Sequence, residues 1–306
     1  MSSLGIGVVG AASWGRNVVR AFASTAGADL RGVCDLRPEL LARVATQHPG
    51  VRVTPSFEDL LLDPEIGAVA LAVDSGSHHR LARRALESGR HVFVEKPLAL
   101  TVPDSQELCT VAEQTGRTLM VGHLLLYHPA VVVAKQAIDG GELGQVRYLH
   151  SQRLNRGVVR ANENAWWSLA PHDIAVAMFL FGSPPVTVSA TGSCFLQTAR
   201  GIEDVVFATL GWGDGRMAHV HVSWIDTAKR RSLTIVGSNA SLTVDGTAPV
   251  AGDEEPLRIE CAHFVDCVRT GQRPRSDGAQ GLAVVRALEA GERSMRAGGA
   301  PVAVGP

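Results

Sequence analysis

The residue of this sequence with the clearest chemical meaning is Lys96, in the segment HVFVEKPLAL that covers residues 91–100. The chain has 29 Lys and Arg residues, of which only Lys96, Lys135 and Lys229 are lysine. A lysine can lose its proton when its surroundings lower its pKa, whereas an arginine stays protonated in proteins. A lysine kept at the end of an apolar strand therefore indicates a titratable cation; the alternative is an ordinary surface lysine before a turn.

The elements around Lys96 alternate between apolar strands and helical segments. Strand patterns cover residues 4–10, 28–35, 51–54, 66–74, 91–97 and 118–123, with helical patterns between them. This alternation predicts an α/β Rossmann fold, a doubly wound parallel sheet covered on both faces. Ligands of such sheets bind at the carboxyl ends of the strands. The candidates at that edge are Gly10, Asp35, Val73, Asp74, His78, Glu95, Lys96, Pro97 and His123.

The turn after the first strand, GAASWG, matches the dinucleotide fingerprint G-x-G-x-x-G except that Ala12 holds the second glycine position. Gly10 permits the tight turn and Gly15 permits close packing of the following helix, while a methyl group at the second position is a small change. The order of strand, turn and helix strengthens this weak signal. The predicted cofactor contacts of the turn are Gly10, Ala12, Ser13, Trp14 and Gly15.

Asp35 ends the second strand, 25 residues after Gly10. An acid at that place can accept a hydrogen bond from a ribose 2′-hydroxyl and repels a 2′-phosphate, so NAD is the predicted cofactor. Two alternatives stay open. Arg37 lies two residues further on and could bind the phosphate of NADP, and Asp35 could simply cap the following turn.

The second half of the chain has a different pattern. Strand-like segments with period two follow Val146, and helical patterns are confined to 171–182, 257–271 and 280–299. This predicts an α+β domain with a large, mostly antiparallel sheet and helices on one face. We therefore predict a nucleotide-binding domain at 1–122 and a domain for substrate binding and oligomerisation at 123–306.

Composition narrows the partners. The net charge is −1 and no basic block occurs, so neither nucleic acid nor a membrane surface is an expected partner. The N-terminus has no charged region before its apolar run, and no run reaches the roughly 18 apolar residues of a membrane span. The five cysteines are scattered without a C-x-x-C pair, so we expect a cytoplasmic protein with reduced thiols and no metal site.

Several segments together resemble the glucose–fructose oxidoreductase and inositol dehydrogenase family, Gfo/Idh/MocA. They are GVVGAASWGRN, VCDLRPE, VFVEKPLALT, VGHLLLYHPAV and SLAPHDI, and the likeness is greatest to a branch named for UDP-N-acetylglucosamine 3-dehydrogenase. The resemblance implies an NAD(P)-dependent enzyme that acts on sugars, nucleotide sugars or cyclitols. It also implies a homodimer or homotetramer formed through the sheet of the second domain.

The resemblance assigns roles to two residues. Lys96 matches the lysine that contacts the reacting hydroxyl and the cofactor, and His172 matches the usual proton acceptor of a D-x-x-x-H element at the start of a helix. Ser168 stands where that element has its aspartate, and Val73 and Asp74 replace a Thr-Pro pair. A capping or core histidine is the alternative for His172.

Further residues are candidates for substrate contacts. Tyr127 precedes Pro129 in a connecting loop, and an arginine near the predicted catalytic helix could bind a carboxylate or diphosphate. Solvated or buried positions are the alternatives. The predicted substrate contacts are Tyr127, Arg153, Asn155, Arg160, Trp167, Ser168 and His172.

Together these observations predict an NAD(P)-dependent oxidoreductase that interconverts a secondary alcohol and a ketone on a sugar ring, at C3 or another carbon of a nucleotide or amino sugar. A cyclitol or free-sugar dehydrogenase is the first alternative. A non-catalytic NAD-binding regulator is the second, because Ser168, Val73 and Asp74 depart from the family pattern.

Overall fold

The computed structural model describes residues 3–157, 159–246 and 255–305. The chain forms two compact units: Met1–Leu124 with Gly252–Leu282, and Leu125–Ala251 with Ala283–Pro306. The sequence prediction assigned everything after residue 122 to the second domain. In the structure the segment Gly252–Leu282 instead belongs to the first unit, because its helix packs against the nucleotide-binding fold.

The first unit contains the predicted parallel sheet. Its strands are β1 (Leu4–Val9), β2 (Ala28–Cys34), β3 (Arg52–Thr54), β4 (Ala68–Leu71), β5 (His91–Glu95) and β6 (Leu119–Gly122). Its helices before residue 124 are α1 (Gly15–Ser24), α2 (Pro38–Gln47), α3 (Phe57–Leu62), α4 (His78–Glu87) and α5 (Val102–Thr115). All strand pairs are parallel, in the order β3-β2-β1-β4-β5-β6. Every residue of β4 and β6 is buried, as expected when both faces are covered. The predicted Rossmann fold is confirmed.

A late helix completes the core of this unit. Helix α8 (Pro256–Thr270) places Phe264 against Phe22 of α1 and Phe93 of β5. The three rings meet edge to face, with centroids 5.8 to 6.2 Å apart. Aromatic pairs with this geometry stabilise a core beyond the area they bury.

The second unit is built on a seven-stranded sheet. Its strands are β7 (Val146–Arg156), β8 (Thr187–Ser193), β9 (Val205–Gly211), β10 (Met217–Ser223), β11 (Ile225–Gly237), β12 (Ser241–Asp245) and β13 (Val302–Ala303). The order is β12-β11-β7-β10-β9-β8-β13, and only the β7–β10 pair is parallel. The helices are α6 (Pro129–Asp139), α7 (Ala165–Phe181) and α9 (Gly278–Arg296), whose first residues belong to the first unit. The predicted mostly antiparallel sheet is confirmed.

Helix α7 begins earlier than the sequence indicated. The prediction started it at Pro171, because proline is common in the first turn of a helix. In the structure Asn164 is the N-cap, its side chain accepts a hydrogen bond from the backbone N–H of Trp167, and Pro171 lies inside the helix. His172 therefore lies in the interior of α7 and not at its start.

Within the residues that the structure describes, no helix is both long and apolar enough to cross a bilayer.

Candidate active site

Two glycines shape the turn between β1 and α1. Gly10 has a φ of +94°, and a Cβ atom there would lie 2.4 Å from the carbonyl oxygen of Ala72. A Cβ atom on Gly15 would lie 2.1 Å from the carbonyl oxygen of Gly10. Glycine alone fits at both positions, so the backbone of the turn is accessible to the close approach of a ligand.

The start of α1 is suited to an anion. Its N-cap, Trp14, makes no capping hydrogen bond with its side chain, and the first turn has no acidic residue. The first N–H groups of a helix lie at the positive end of its dipole. In α1 those of Arg16 and Asn17 donate to the carbonyl oxygens of Ala12 and Trp14, so the donors of interest are those of the turn itself. Ala12 is partly exposed and Ser13 is exposed beside them. This turn can therefore bind a phosphate group through backbone N–H donors.

Asp35 follows β2 and is held by three groups. Its Oδ2 accepts a hydrogen bond from the backbone N–H of Ala11 at 2.8 Å, and its Oδ1 accepts one from Arg37 Nε at 3.0 Å and one from the Arg37 backbone N–H. Burial opposes the charge of Asp35, but these hydrogen bonds outweigh it and lower its pKa. An ionised carboxylate thus lies at the edge of the sheet, and Arg37 is paired with it.

Lys96 follows β5 and is tied to the glycine turn through Glu95. The indole Nε1–H of Trp14 donates to Glu95 Oε1 at 2.6 Å, and the backbone N–H of Lys96 donates to Glu95 Oε2 at 3.3 Å. A Cβ atom on Gly122 of β6 would lie only 3.0 Å from the Glu95 carboxyl group. The Glu95 side chain therefore couples the predicted phosphate-binding turn to the strand end that carries Lys96.

His78 connects the loops after β4 and β5. Its Nδ1 lies 2.7 Å from the carbonyl oxygen of Pro97, and its Nε2 lies 3.3 Å from that of Val73. Burial lowers the pKa of His78, and the shorter contact assigns the single N–H of the neutral ring to Nδ1. The Lys96–Pro97 peptide bond is cis. Asp74 accepts a hydrogen bond from the backbone N–H of Gly76 at 2.9 Å.

Three buried titratable groups lie at this edge of the unit. Burial raises the pKa of Glu95 to about 7, despite the hydrogen bond from Trp14. Glu260 of α8 is fully buried, and burial together with the charge of Glu95 raises its pKa well above its ordinary value. Burial and the charge of Lys96 lower the pKa of His123 to about 3. The two carboxyl groups cannot both ionise easily, and the imidazole is neutral at physiological pH.

The second unit carries His172 and its neighbours on α7. His172 is partly exposed and Ser168 is buried. Trp167 is also buried, with its indole Nε1–H donating to Glu292 Oε2 of α9 at 3.3 Å. The position of Ser168, one helical turn before His172, places both on one face of the helix.

The remaining predicted substrate residues differ in exposure. Tyr127 lies in a short 3₁₀ turn of the connection between β6 and α6, where only 1% of it is exposed. Arg153 Nε donates to Asp173 Oδ2 at 2.7 Å. Arg160 is exposed and forms an ion pair with Glu163. Asn155 lies on β7, partly exposed.

Sequence analysis did not identify two charged residues near the proposed site residues: Glu260 in the first unit and Arg231 in the second. Glu260 lies in the apolar stripe of α8, between the buried residues Leu257 and Phe264, which are three and four positions away. A carboxyl group at a position of that stripe could have been recognised from the sequence as buried. Arg231 lies opposite Arg153 across the β11–β7 pair. That pairing depends on the strand register, which the sequence does not reveal.

Comparison with known proteins places this geometry in a family. Residues 4–123 match the model of an oxidoreductase family with an NAD-binding Rossmann fold, and residues 131–243 match the GFO/IDH/MocA C-terminal domain. The chain belongs to the GFO/IDH/MocA family. It is therefore an NAD-binding oxidoreductase, as the sequence predicted.

Relatives within the GFO/IDH/MocA family have different named substrates. A UDP-N-acetylglucosamine 3-dehydrogenase of Acidithiobacillus ferrooxidans is 28% identical over 78% of this chain and 73% of its own. A putative myo-inositol dehydrogenase structure from Sinorhizobium meliloti has a TM-score of 0.92 at 23% identity and covers 99% of this chain and 100% of its own. The WlbA dehydrogenase of Bordetella pertussis was crystallised in complex with NADH and UDP-GlcNAcA. Its structure has a TM-score of 0.88 at 23% identity and covers 100% of this chain and 99% of its own.

The residues of the first unit fit the NAD of this family. The glycine turn leaves no room for a Cβ atom, the start of α1 offers backbone donors for a diphosphate, and the ionised Asp35 lies at the end of the neighbouring strand. Gly10, Gly15 and the backbone at Ala12 and Ser13 would hold the phosphates, and Asp35 would accept hydrogen bonds from a ribose.

Proposed function

We propose that this protein interconverts a secondary alcohol and a ketone on the ring of a nucleotide or amino sugar. The observation that carries the proposal is the position of Lys96. It follows β5 at the carboxyl edge of the NAD-binding sheet, and Glu95 connects its backbone to the glycine turn. The UDP-N-acetylglucosamine 3-dehydrogenase among the relatives supports a nucleotide sugar as the substrate.

Oxidation of an alcohol needs a hydride acceptor and a proton acceptor. NAD⁺ supplies the hydride acceptor when it is bound. The Lys96 ammonium donates a hydrogen bond to the substrate oxygen and stabilises negative charge as the proton leaves. His172 accepts the proton, because imidazole titrates near neutral pH. In the reductive direction His172 returns the proton to the ketone oxygen while the Lys96 ammonium polarises the carbonyl group.

Ser168 changes the surroundings of the proposed proton acceptor. A hydroxyl group can donate or accept a hydrogen bond but brings no charge. We therefore propose that Ser168 orients the substrate or the imidazole.

The decisive experiment compares wild type with Lys96→Arg and Lys96→Ala. Each is titrated with NADH and then assayed with NAD⁺ and a panel of UDP-sugars, amino sugars and inositols, following NADH absorbance. We expect NADH binding to persist in Lys96→Arg while turnover falls by about 10²–10⁴, since the broad planar guanidinium keeps the charge but cannot place a compact point-charge donor on the substrate oxygen as the ammonium does. Turnover by Lys96→Arg at the wild-type rate would contradict the role of Lys96.

The two alternatives have separate signatures in the same panel. A cyclitol or free-sugar dehydrogenase turns over an inositol or free sugar at least as well as its nucleotide-linked counterpart. A regulator binds NADH with no turnover of any sugar by wild type, and its affinity is unchanged in Lys96→Ala.

We also propose that one face of the seven-stranded sheet, the face that carries Tyr148, Phe207 and Met217, binds another copy of the chain. Tyr148, Phe207 and Met217 are large apolar side chains on that face, each between 41% and 48% exposed. A face of this kind usually marks an interface. Light scattering of wild type and Phe207→Lys tests this, with a monomeric wild type as the contradicting result.

A further inference from the structure

The second unit contains a small cavity whose walls carry unbalanced charge. Its volume is about 40 Å³, and its lining includes Arg153 of β7, Asp173 of α7 and Arg231 of β11. Apolar side chains such as Val131 and Val176 form much of the remaining wall. All of these residues belong to one unit, so the cavity is a feature of that unit alone.

The two arginines share one face of the sheet. Arg231 is the register partner of Arg153 in the antiparallel β11–β7 pair, and directly opposed residues in such a pair project to the same side. Asp173 binds only one of them, since its Oδ2 accepts the hydrogen bond from Arg153 Nε at 2.7 Å. Arg231 has no carboxylate within ion-pairing distance in the part of the chain that the structure describes.

The charges facing the cavity therefore sum to one positive charge. Arg153 and Arg231 are cations and Asp173 is the single carboxylate in the lining. His128 also lines the cavity, but burial lowers its pKa and its Nδ1 accepts a hydrogen bond from the backbone N–H of Ala130, so it is neutral. Like charges directly opposite each other in a sheet are unfavourable, and an anion between them would remove the repulsion.

The Arg231 side chain is partly exposed to solvent and partly packed against the protein. It is an exposed residue overall, yet burial of its guanidinium in the cavity wall lowers its pKa, the charge of Arg153 lowers it further, and the charge of Asp173 offsets only part of this. Guanidinium groups bind carboxylates and phosphates through two parallel N–H donors. The site thus offers donors with the right geometry and a charge that lacks a partner.

The size of the cavity limits what can enter. On this scale a single water needs roughly 10–15 Å³, so 40 Å³ accommodates one compact oxyanion and not a whole sugar ring. Asp173 directly follows His172 on α7, and Arg153 lies two residues before Asn155 on β7. The cavity is therefore adjacent in structure to the residues proposed to act on the substrate.

We propose that Arg153 and Arg231 form an anion-binding subsite, and that the sugar substrate carries a carboxylate or phosphate group that binds there. This inference rests on the proposed function, because it assigns the subsite to the same substrate. It selects acidic sugars, such as uronic acids and their nucleotide derivatives, and sugar phosphates over neutral sugars and cyclitols.

The test compares wild type, Arg231→Gln and a matched control, Arg230→Gln. Arg230 is the neighbouring exposed arginine, with Leu154 as its register partner, so its side chain projects to the opposite face of the sheet. Each protein is assayed with NAD⁺ and matched sugars: UDP-N-acetylglucosamine against its C6 uronate, and glucose against glucuronate and glucose 6-phosphate. Comparison of the last two separates a carboxylate from a phosphate.

For wild type we expect the charged member of a pair to have the lower KM. In Arg231→Gln the KM of that charged substrate should rise about tenfold to a hundredfold with kcat changed far less, and Arg230→Gln should match wild type. Equal KM values for charged and neutral substrates in wild type would overturn the subsite, and so would equal effects of the two substitutions.

A binding measurement separates failure of the subsite from failure of the proposed function. The thermal unfolding midpoint of each full-length protein is measured with glucuronate, glucose 6-phosphate or glucose, without NAD⁺. An anionic sugar that stabilises wild type but not Arg231→Gln supports the subsite even if no sugar is turned over, and the oxidoreductase proposal alone then fails. If neither anionic sugar binds or is turned over, the subsite is refuted.

The unliganded proteins give a final check. Arg231→Gln removes a cation that repels Arg153, so its unfolding midpoint should be equal to or above that of wild type. A clearly lower midpoint would show that Arg231 stabilises the fold, and would contradict a role reserved for a ligand.

Discussion

Substitution of Glu95 by glutamine should stabilise the first unit at alkaline pH and not at acidic pH. Burial raises the pKa of Glu95 from its ordinary value of 4.5 to about 7, so the unfolded chain ionises at a pH where the folded chain still holds the proton. Stability is therefore fully present below about pH 4.5 and is lost as the pH rises to 7. At 1.36 kcal/mol per pKa unit, the loss amounts to about 3 kcal/mol by pH 8.

The amide of Glu95→Gln carries no charge at either pH and can still accept the hydrogen bond from Trp14 Nε1. The variant should thus exceed wild type by up to about 3 kcal/mol at pH 8, with a much smaller difference at pH 5. The free energy of unfolding is measured in urea at both pH values, by hydrogen exchange of peptides from β1, β4 and β5. These strands report on the first unit alone.

Glu113→Gln is the matched control, since it removes an exposed carboxyl group from α5 in the same unit. A gain from Glu95→Gln that is equal at pH 5 and pH 8, or no larger than that of Glu113→Gln, would refute the argument.

Three further predictions follow from the site geometry. Asp35→Asn removes the charge that repels a 2′-phosphate, so the ratio of NADPH to NADH affinity should rise at least about tenfold in a fluorescence titration; an unchanged ratio would contradict the role of Asp35. Gly10→Ala places a Cβ atom against the Ala72 carbonyl oxygen, whereas Gly50→Ala, at nearly the same φ, places one in open space. In urea unfolding, Gly10→Ala should therefore be less stable than Gly50→Ala by at least about 2 kcal/mol. His172→Gln should keep NADH binding and lower turnover by about 10²–10⁴, and loss of NADH binding would contradict a role confined to proton transfer.

Local patterns account for most of the first unit. Most strands there are short apolar runs that end at or just before Gly, Asp or Glu, and the parallel sheet follows from their alternation with helices. The polar residues at the strand ends were therefore found directly, including Asp35 and Lys96. The hydrogen bond from Trp14 to Glu95 was not, because it joins residues 81 positions apart whose side chains meet only after the sheet is assembled.

The second unit depends more on tertiary contacts. Its sheet was predicted from period-two segments, but the pairing of Arg153 with Arg231 requires a register that no local signal specifies. The start of α7 was misplaced for a related reason: Pro171 is a strong local signal, yet Asn164 provides the cap and the packing of Trp166 and Trp167 extends the helix. The buried position of Tyr127 likewise reflects packing that its neighbours in sequence do not show.

The ring of Phe264 has a consequence for how this protein is made. Phe22 and Phe93 are translated early, but their aromatic partner lies about 170 residues beyond Phe93 in the chain. At roughly 5–20 residues per second on the ribosome, the nascent nucleotide-binding sheet waits on the order of 10 to 30 seconds with an unfinished hydrophobic surface. During that interval it is a natural client for a chaperone that shields apolar segments, and a ribosome stalled before α8 would present an aggregation-prone fragment.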